Sequence, residues 1–226
     1  FSAEEGKVLA EQSLYLGQTI HNQYVYSKYE AECLVLEAAA GGLPARILRV
    51  GNLQGRLSDG AFQMNLKENA SHLKCYYHLG FAPTALKEAT VNLSPVDETA
   101  KAIVLLSKMP SENTVFHVVS SDEVHYKELF QQMEKVLGIT FGYLEESEFE
   151  ALLDEYAKDG RKYKQVESIL IEKNGMRMKE VAIDSAFTVE MLKESGFEYH
   201  KIKDSYLEQY FKALDGLGFF EEEGMI

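Results

Sequence analysis

Cysteine is scarce: Cys33 and Cys75 are the only two in 226 residues. Two thiols make no disulfide framework, so a reducing, cytosolic (cytoplasmic) compartment is expected. Cys33 falls inside a helical run and reads as a small buried hydrophobe. Long apolar runs are also missing. The richest, near Leu34 and Ile103, stay far below the roughly 18 residues of a membrane helix, so no membrane association is expected. The opening Phe1-Ser2-Ala3-Glu4-Glu5 has no initiator methionine, no basic stretch and no apolar signal core. Basic residues are outnumbered, 23 Lys and Arg against 36 Asp and Glu, giving a net charge of −13. That balance argues against nucleic acid or an anionic membrane as the main partner. No Gly-x-Ser-x-Gly elbow exists to present a nucleophilic serine. The histidines His21, His72, His78, His117, His125 and His200 are scattered without carboxylates at ligand spacing, so no metal site is expected. No internal repeat or low-complexity linker is present.

What remains is an ordinary globular composition, 46% hydrophobic and 26% charged, long enough for a sizeable core in one domain or two small ones. The acidic runs around Glu145–Glu150 and Glu221–Glu223 read as solvated faces. The chain is organised around His21-Asn22-Gln23-Tyr24-Val25-Tyr26-Ser27-Lys28-Tyr29-Glu30-Ala31-Glu32. Asn22 is placed to cap a helix that Gly41-Gly42-Leu43-Pro44 stops. Ala31, Val35 and Ala38 recur at helical spacing, and the same stripe continues back through Lys28 and Tyr24, predicting a buried face. Tyr24 and Lys28, four apart, lie one above the other. An ammonium beside a phenol favours the phenolate, which suits the pair to proton transfer near neutral pH. The spacing alone reads equally as an amphipathic helix with a snorkelling lysine, and it is the stripe and the strand that follows that favour the first reading. A second Tyr-x-x-x-Lys, Tyr199 to Lys203, sits beside a helix stop with no apolar stripe and is read as chance.

Ala45–Val50 reads as a strand ended by Gly51 and Asn52. A helix, a short turn and a buried strand make the rhythm of a doubly wound sheet. In such sheets ligands bind beyond the carboxyl ends of strands, which points to Val50, Gly51, Asn52 and Leu53. Further on, a helix is predicted from about Ala61 to Leu79, a strand over Thr90–Leu93, and a helix opening at Ser94-Pro95-Val96-Asp97 with Ala100, Ile103, Val104 and Leu106 inward. Val115–Val119 reads as a strand. A helix capped by Ser121 or Asp122 runs to Gly138, and Ile139–Tyr143 is a further candidate strand. A capping box at Ser147-Glu148-Phe149-Glu150 opens a helix to about Lys158. Thr188 is placed as a cap, and a last helix spans about Ser205–Leu214, with Phe211, Phe219 and Phe220 packing it. Arg161, Lys162, Lys164, Lys173, Arg177 and Lys179 form the chain's one basic patch, either a solvated loop or a surface for an acidic partner. Arg49 reads equally as a phosphate anchor or a structural ion pair, and His117 as a packed or a surface residue. Ser27 reads as a helix-surface or cofactor-side hydroxyl.

The segments Asn22–Glu32, Arg49-Val50-Gly51-Asn52, Pro95-Val96-Asp97 and Val115–Val119 together resemble the extended short-chain dehydrogenase/reductase superfamily. Tyr24-Val25-Tyr26-Ser27-Lys28-Tyr29-Glu30-Ala31-Glu32 and Leu48-Arg49-Val50-Gly51-Asn52-Leu53-Gln54-Gly55-Arg56 look most like the thioester reductase domains of nonribosomal peptide synthetases and carboxylic acid reductases. The resemblance is strong to about residue 140 and thinner beyond. It implies an α/β fold, a partial Rossmann-like doubly wound sheet with a smaller, mostly helical substrate lobe. Residues 1–120 would form the C-terminal part of the nucleotide-binding core and 121–226 the substrate or carrier lobe. It further implies Tyr24 as proton donor to a carbonyl, Lys28 as its partner and as a holder of the nicotinamide ribose, and Val50, Gly51, Asn52 and Leu53 along the nicotinamide. NADPH is the implied cofactor. The implied partner is a carrier protein whose phosphopantetheine thioester is released as aldehyde or alcohol.

Two family features have no match. The glycine-rich pyrophosphate turn is missing, since Gly216-Leu217-Gly218 precedes no helix. The pattern predicts no apolar strand leading into Ser2, Ser13 or Thr19, so the third catalytic residue has no match either. The sequence therefore resembles the C-terminal part of such a domain and is expected, alone and without the N-terminal half, to bind NADPH poorly and turn over little. A related enzyme acting on a free small molecule, and a non-catalytic module of the same fold, are the alternatives.

Overall fold

The structure is a computed structural model, and it describes residues 8–11, 23–63, 70–110, 113–120, 122–160, 162–171 and 182–221. In chain order its elements begin with β1 (Val8–Leu9), α1 (Gln23–Ala40), β2 (Ile47–Val50), β3 (Leu53–Gln54), α2 (Ser71–Leu79), β4 (Phe81–Pro83), β5 (Thr90–Asn92), β6 (Ser94–Pro95) and α3 (Val96–Lys108). They continue with β7 (Val115–Val118), β8 (Glu123–His125), α4 (Tyr126–Leu137), β9 (Gly142–Leu144), α5 (Glu146–Lys158), α6 (Tyr163–Ile171), β10 (Ala182–Ile183), α7 (Ala186–Glu194) and α8 (Asp204–Gly216). The chain divides into two compact units, each drawn from three segments: 1–51, 99–121 and 175–199 in the first, 52–98, 122–174 and 200–226 in the second.

In the first unit β2 and β7 pair in parallel, with Ile47 opposite Val115, Leu48 opposite Phe116, Arg49 opposite His117 and Val50 opposite Val118. Side chains alternate across a strand, so opposed residues share a face. Leu48, Phe116 and Val118 lie on one face and pack with Ala102 and Leu106 of α3 and Leu192 of α7. Arg49 and His117 lie on the other, where Glu32 of α1 meets Arg49. Helices thus cover both faces of this parallel pair, the layering of a doubly wound α/β fold. Every residue of β7 is buried, as a strand covered on both faces requires. On α3 the inward residues are Ala102 and Leu106 with Ile103 and Leu105 beside them. Ala100 and Val104 are exposed, against the sequence expectation. One pair of strands offers a narrow face, and only part of the helix circumference finds cover.

The second unit holds the larger core, built from α2, α4, α5, α6 and α8 around Phe130, Met133, Tyr210, Phe211 and Leu214. Phe219 and Phe220 are buried in it, as expected. Its strand pairs are β3 with β6 and β4 with β9, both parallel, and β5 with β8, antiparallel. Glycines at left-handed φ end α2 at Gly80 and α4 at Gly138, where no β-carbon resists the turn. Several boundaries differ from the sequence reading. Residues 61–63 are not helical, and α2 begins at Ser71. Glu123–His125 pairs with β5, so α4 starts at Tyr126. The capping box on α5 is formed by Glu145 and Glu148, with Glu145 rather than Ser147 as the cap. Thr188 lies inside α7, buried, and the cap position is Ser185.

Candidate active site

Helix α1 begins at Gln23 and stops where Leu43 N–H returns to the Ala38 carbonyl at 3.0 Å, with Gly42 at φ 95°. Asn22, its expected cap, lies outside the described residues. No residue of the helix is fully buried. The predicted buried stripe is corrected: Tyr24 is 69% exposed, Lys28 and Ala31 are exposed, and Val35 and Ala38 are half-buried. The inward row lies one position further on, through Val25, Tyr29, Glu32, Leu36 and Ala39, all half-buried. The physical reason is Glu32, a charged residue on the inner face because Arg49 neutralises it there. Four residues of helix turn about 400°, so each step of four drifts about 40° around the axis. The row Tyr24, Lys28, Glu32 therefore starts on the open side and ends on the sheet side.

Lys28 Nζ stands 5.2 Å from the centre of the Tyr24 ring, within reach of the ring's negative face. Tyr26 is distinct from Tyr24. Its phenol is bound by Glu30, and that hydrogen bond, with the carboxylate's charge, raises its pKa above the ordinary value. Ser27 donates to the Tyr24 carbonyl at 2.8 Å, a local helix bond. Cys33 is half-buried in α1.

Arg49 holds Glu32 through two parallel bonds, Nε to Oε1 at 3.0 Å and Nη2 to Oε2 at 2.6 Å. Both side chains are largely shielded, 12% and 15% exposed. Such a fork is the strong form of a charge-assisted pair. It is a structural ion pair, the second of the two readings open for Arg49 in the sequence. Arg49 Nη1 also meets His117 Nε2 at 3.0 Å. His117 Nδ1 faces the Asp184 carbonyl at 2.7 Å, so Nδ1 carries the proton and Nε2 accepts from Arg49. Burial, with the guanidinium beside it, lowers the His117 pKa below its ordinary value. His117 is packed, 1% exposed. Glu11 finishes the cluster by accepting from the backbone N–H groups of His117 and Thr188, at 3.2 and 3.1 Å, and from the Thr188 hydroxyl. The sequence reading missed Glu32, Glu11 and Asp184. A charged residue at Glu32, on the helix flank nearest a basic strand residue, was the available signal.

The four residues expected beyond the strand fall to different units. Val50 and Gly51 close β2, with Gly51 N–H directed at the Val118 carbonyl at 3.4 Å. Asn52 and Leu53 open the next segment, where the Asn52 carbonyl accepts from Ser94 N–H at 3.0 Å. The loop that follows is clamped by two tyrosines of α8. The Tyr206 hydroxyl donates to the Gly55 carbonyl at 2.8 Å, and the Tyr210 hydroxyl to Gln54 Oε1 at 2.6 Å. Burial raises both phenols well above the usual range. Gly60, at φ 70°, lies so close to α8 that an added β-carbon would sit 2.5 Å from the Gln209 carbonyl carbon. Asp97 accepts from Leu57 N–H at 2.8 Å.

Of the basic patch, Lys162 and Lys164 are described, Lys164 on α6, and Arg161, Lys173, Arg177 and Lys179 lie outside the described residues. Tyr199 and Lys203, the second copy of the spacing, do not share a helix: α8 begins at Asp204. Among the described residues no cluster of His, Cys, Asp and Glu is placed to hold a metal ion. Among them, too, no helix is long and apolar enough to cross a membrane.

Residues 2–103 match the family model described as male sterility protein. A thiolation-reductase di-domain from an archaeal non-ribosomal peptide synthetase superposes with a TM-score of 0.83 at 30% identity, covering 97% of this chain and 46% of that one. The terminal R domain from the myxalamid PKS-NRPS biosynthetic pathway gives 0.80 at 26% identity, covering 96% and 56%. Glycine betaine reductase ATRR of Emericella nidulans is 34% identical over 116 residues, 51% of this chain and 9% of that protein. The chain spans about half the length of these solved structures and a small part of the curated relative.

Proposed function

We propose that the chain is the C-terminal part of an NADPH-dependent thioester reductase, on the match of residues 2–103 to the family model described as male sterility protein and on the α/β fold it shares with the reductase domains it superposes on. The observation that carries the reading is the Tyr24–Lys28 pair, both side chains exposed on one helix face and in contact with each other.

An exposed phenol and ammonium suit the nicotinamide-ribose end of a dinucleotide, where a carbonyl and ribose hydroxyls need a donor and a positive charge. The nicotinamide cofactor supplies the hydride when bound. Tyr24 gives its proton to the carbonyl oxygen of the substrate, and Lys28 stabilises the phenolate left behind and binds the ribose. Val50, Gly51, Asn52 and Leu53 would hold the nicotinamide end. For a thioester, hydride on carbon and proton on oxygen give a thiohemiacetal, which collapses to an aldehyde and the free pantetheine thiol. The basic residues from Arg161 to Lys179 would steer an acidic carrier protein or the phosphopantetheine phosphate. The sequence holds no glycine-rich turn for the pyrophosphate, so this 226-residue chain alone binds NADPH weakly and turns over little. The unit of 1–51, 99–121 and 175–199 serves the cofactor core, and that of 52–98, 122–174 and 200–226 the substrate.

The test is NADPH oxidation by the full-length polypeptide that carries this sequence, offered an acyl-pantetheine thioester in one arm and a free ketone or sugar nucleotide in the other. Consumption with the thioester supports the reading. Consumption with the free carbonyl compound alone moves the assignment to a small-molecule reductase. No consumption in either arm leaves the non-catalytic module.

A further inference from the structure

Lysine at position i and glutamate at i+4 attract each other on a helix, and nothing in the local sequence prevents Lys28 from turning back onto Glu32. An ammonium captured in that way would leave the Tyr24 ring. Glu32, however, is already engaged through both carboxylate oxygens by Arg49. The fork is bidentate and shielded, so it outcompetes an exposed lysine that would have to give up its hydration. Arg49 is itself fixed from behind, because His117 presents an unprotonated Nε2 to it. Arg49 and His117 are register partners on neighbouring strands, so the arrangement is set by the sheet itself.

We infer that Arg49 is a positioning residue for the reaction proposed above: by holding the Glu32 carboxylate, it keeps the Lys28 ammonium over Tyr24. The inference rests on that reading of Tyr24 and Lys28. The route runs through Glu32, whose carboxylate Arg49 holds with two bonds.

The experiment compares Arg49→Met, Glu32→Gln, the double variant and Tyr24→Phe in the full-length polypeptide, with NADPH and an acyl-pantetheine thioester. Arg49→Met frees Glu32 to capture Lys28, and kcat is expected to fall about 10- to 100-fold, the scale set by a misplaced catalytic group. KM for the thioester stays within about threefold, because uniform binding is untouched. The double variant removes the competing carboxylate and recovers most of kcat. A purely structural ion pair would also be relieved by removing Glu32, since breaking a shielded pair leaves an unpaired charge, but its loss would show as a lowered denaturant midpoint at unchanged kcat per mole of folded protein. The inference is overturned if kcat of Arg49→Met, per mole of folded protein by circular dichroism, is unchanged. It is equally overturned if the double variant is no better than Arg49→Met. Failure of the underlying reading shows in a separate arm, as turnover that survives Tyr24→Phe.

Discussion

Lys28 Nζ lies 5.2 Å from the centre of the Tyr24 ring, one helical turn along the same open face of α1. The contact puts an ammonium beside the phenol proposed as proton donor. Replacing Lys28 by Met removes that charge and the proposed ribose contact together. Turnover of the full-length polypeptide is expected to fall about 10²- to 10⁴-fold, the range for a displaced acid–base partner. KM for NADPH should rise in the same variant. Steady-state kinetics over a range of NADPH concentrations separates the two effects, and an unchanged kcat would remove Lys28 from the chemistry.

His117 makes the stability of the first unit depend on pH. Its folded-state pKa lies below the ordinary value, because burial and Arg49 disfavour the imidazolium. The stabilisation is complete above pH of about 6.5, where both folded and unfolded states are neutral. As pH falls below that value the unfolded chain takes up a proton that the folded one refuses, so stability is lost. The loss continues down to the depressed pKa and then stops. One such group contributes at most about 1.4 kcal/mol per pH unit within this window. Urea unfolding between pH 7.5 and 5 checks it, with His117→Asn as the reference. A slope that persists in the variant would assign the effect to another residue.

The two left-handed glycines Gly60 and Gly80 separate backbone strain from collision. Both have φ near 70°, but a β-carbon on Gly80 meets nothing within 4 Å, whereas one on Gly60 meets the backbone of Gln209 and Tyr210. Gly80→Ala is expected to cost about 1 kcal/mol from backbone strain alone. Gly60→Ala should cost about 3 kcal/mol or more, since α8 must move as well. Tyr210→Phe leaves the buried Gln54 carbonyl oxygen without its donor and should cost about 1–3 kcal/mol. Denaturant midpoints rank the three, and equal costs for the two glycines would contradict the close approach.

Cys75 is an inert thiol. Burial raises its pKa, and it contacts the Ser168 hydroxyl at 3.0 Å inside the larger core. Thiolate is the reactive form, so alkylation of the folded chain should leave Cys75 unmodified until the protein is unfolded. Peptide mapping after brief iodoacetamide treatment shows this, and labelling of Cys75 in native buffer would contradict its burial.

The local signals were legible and the long-range ones were not. Gly41-Gly42, Gly80 and Gly138 end helices where glycine's freedom demands it. The Val115–Val118 strand was plain because three of its four residues are Val or Phe, with His117 alone between them. The Tyr24–Lys28 spacing is weak by itself, since it recurs at Tyr199 and Lys203, and the buried stripe read as its support is not where the sequence put it. The helix face was misplaced by one position, because hydrophobic patterning puts a charge such as Glu32 outside, and its partner Arg49 is 17 residues away. Tyr206 and Tyr210 of α8 lie in the core, and their hydroxyls hold the loop after β3, more than 150 residues earlier, which no local pattern encodes. Strands of two residues, such as β3 and β6, are too short to carry any alternation.

The central claim is that Tyr24 is the proton donor of a thioester reductase. The most direct measurement is NADPH consumption with an acyl-pantetheine thioester by the full-length polypeptide, wild type beside Tyr24→Phe. The phenylalanine keeps the ring under Lys28 and removes only the hydroxyl. The account predicts turnover in the wild type that falls about 10²-fold or more in the variant, with both proteins equally folded. Equal turnover in the two would contradict it and place the proton donor elsewhere.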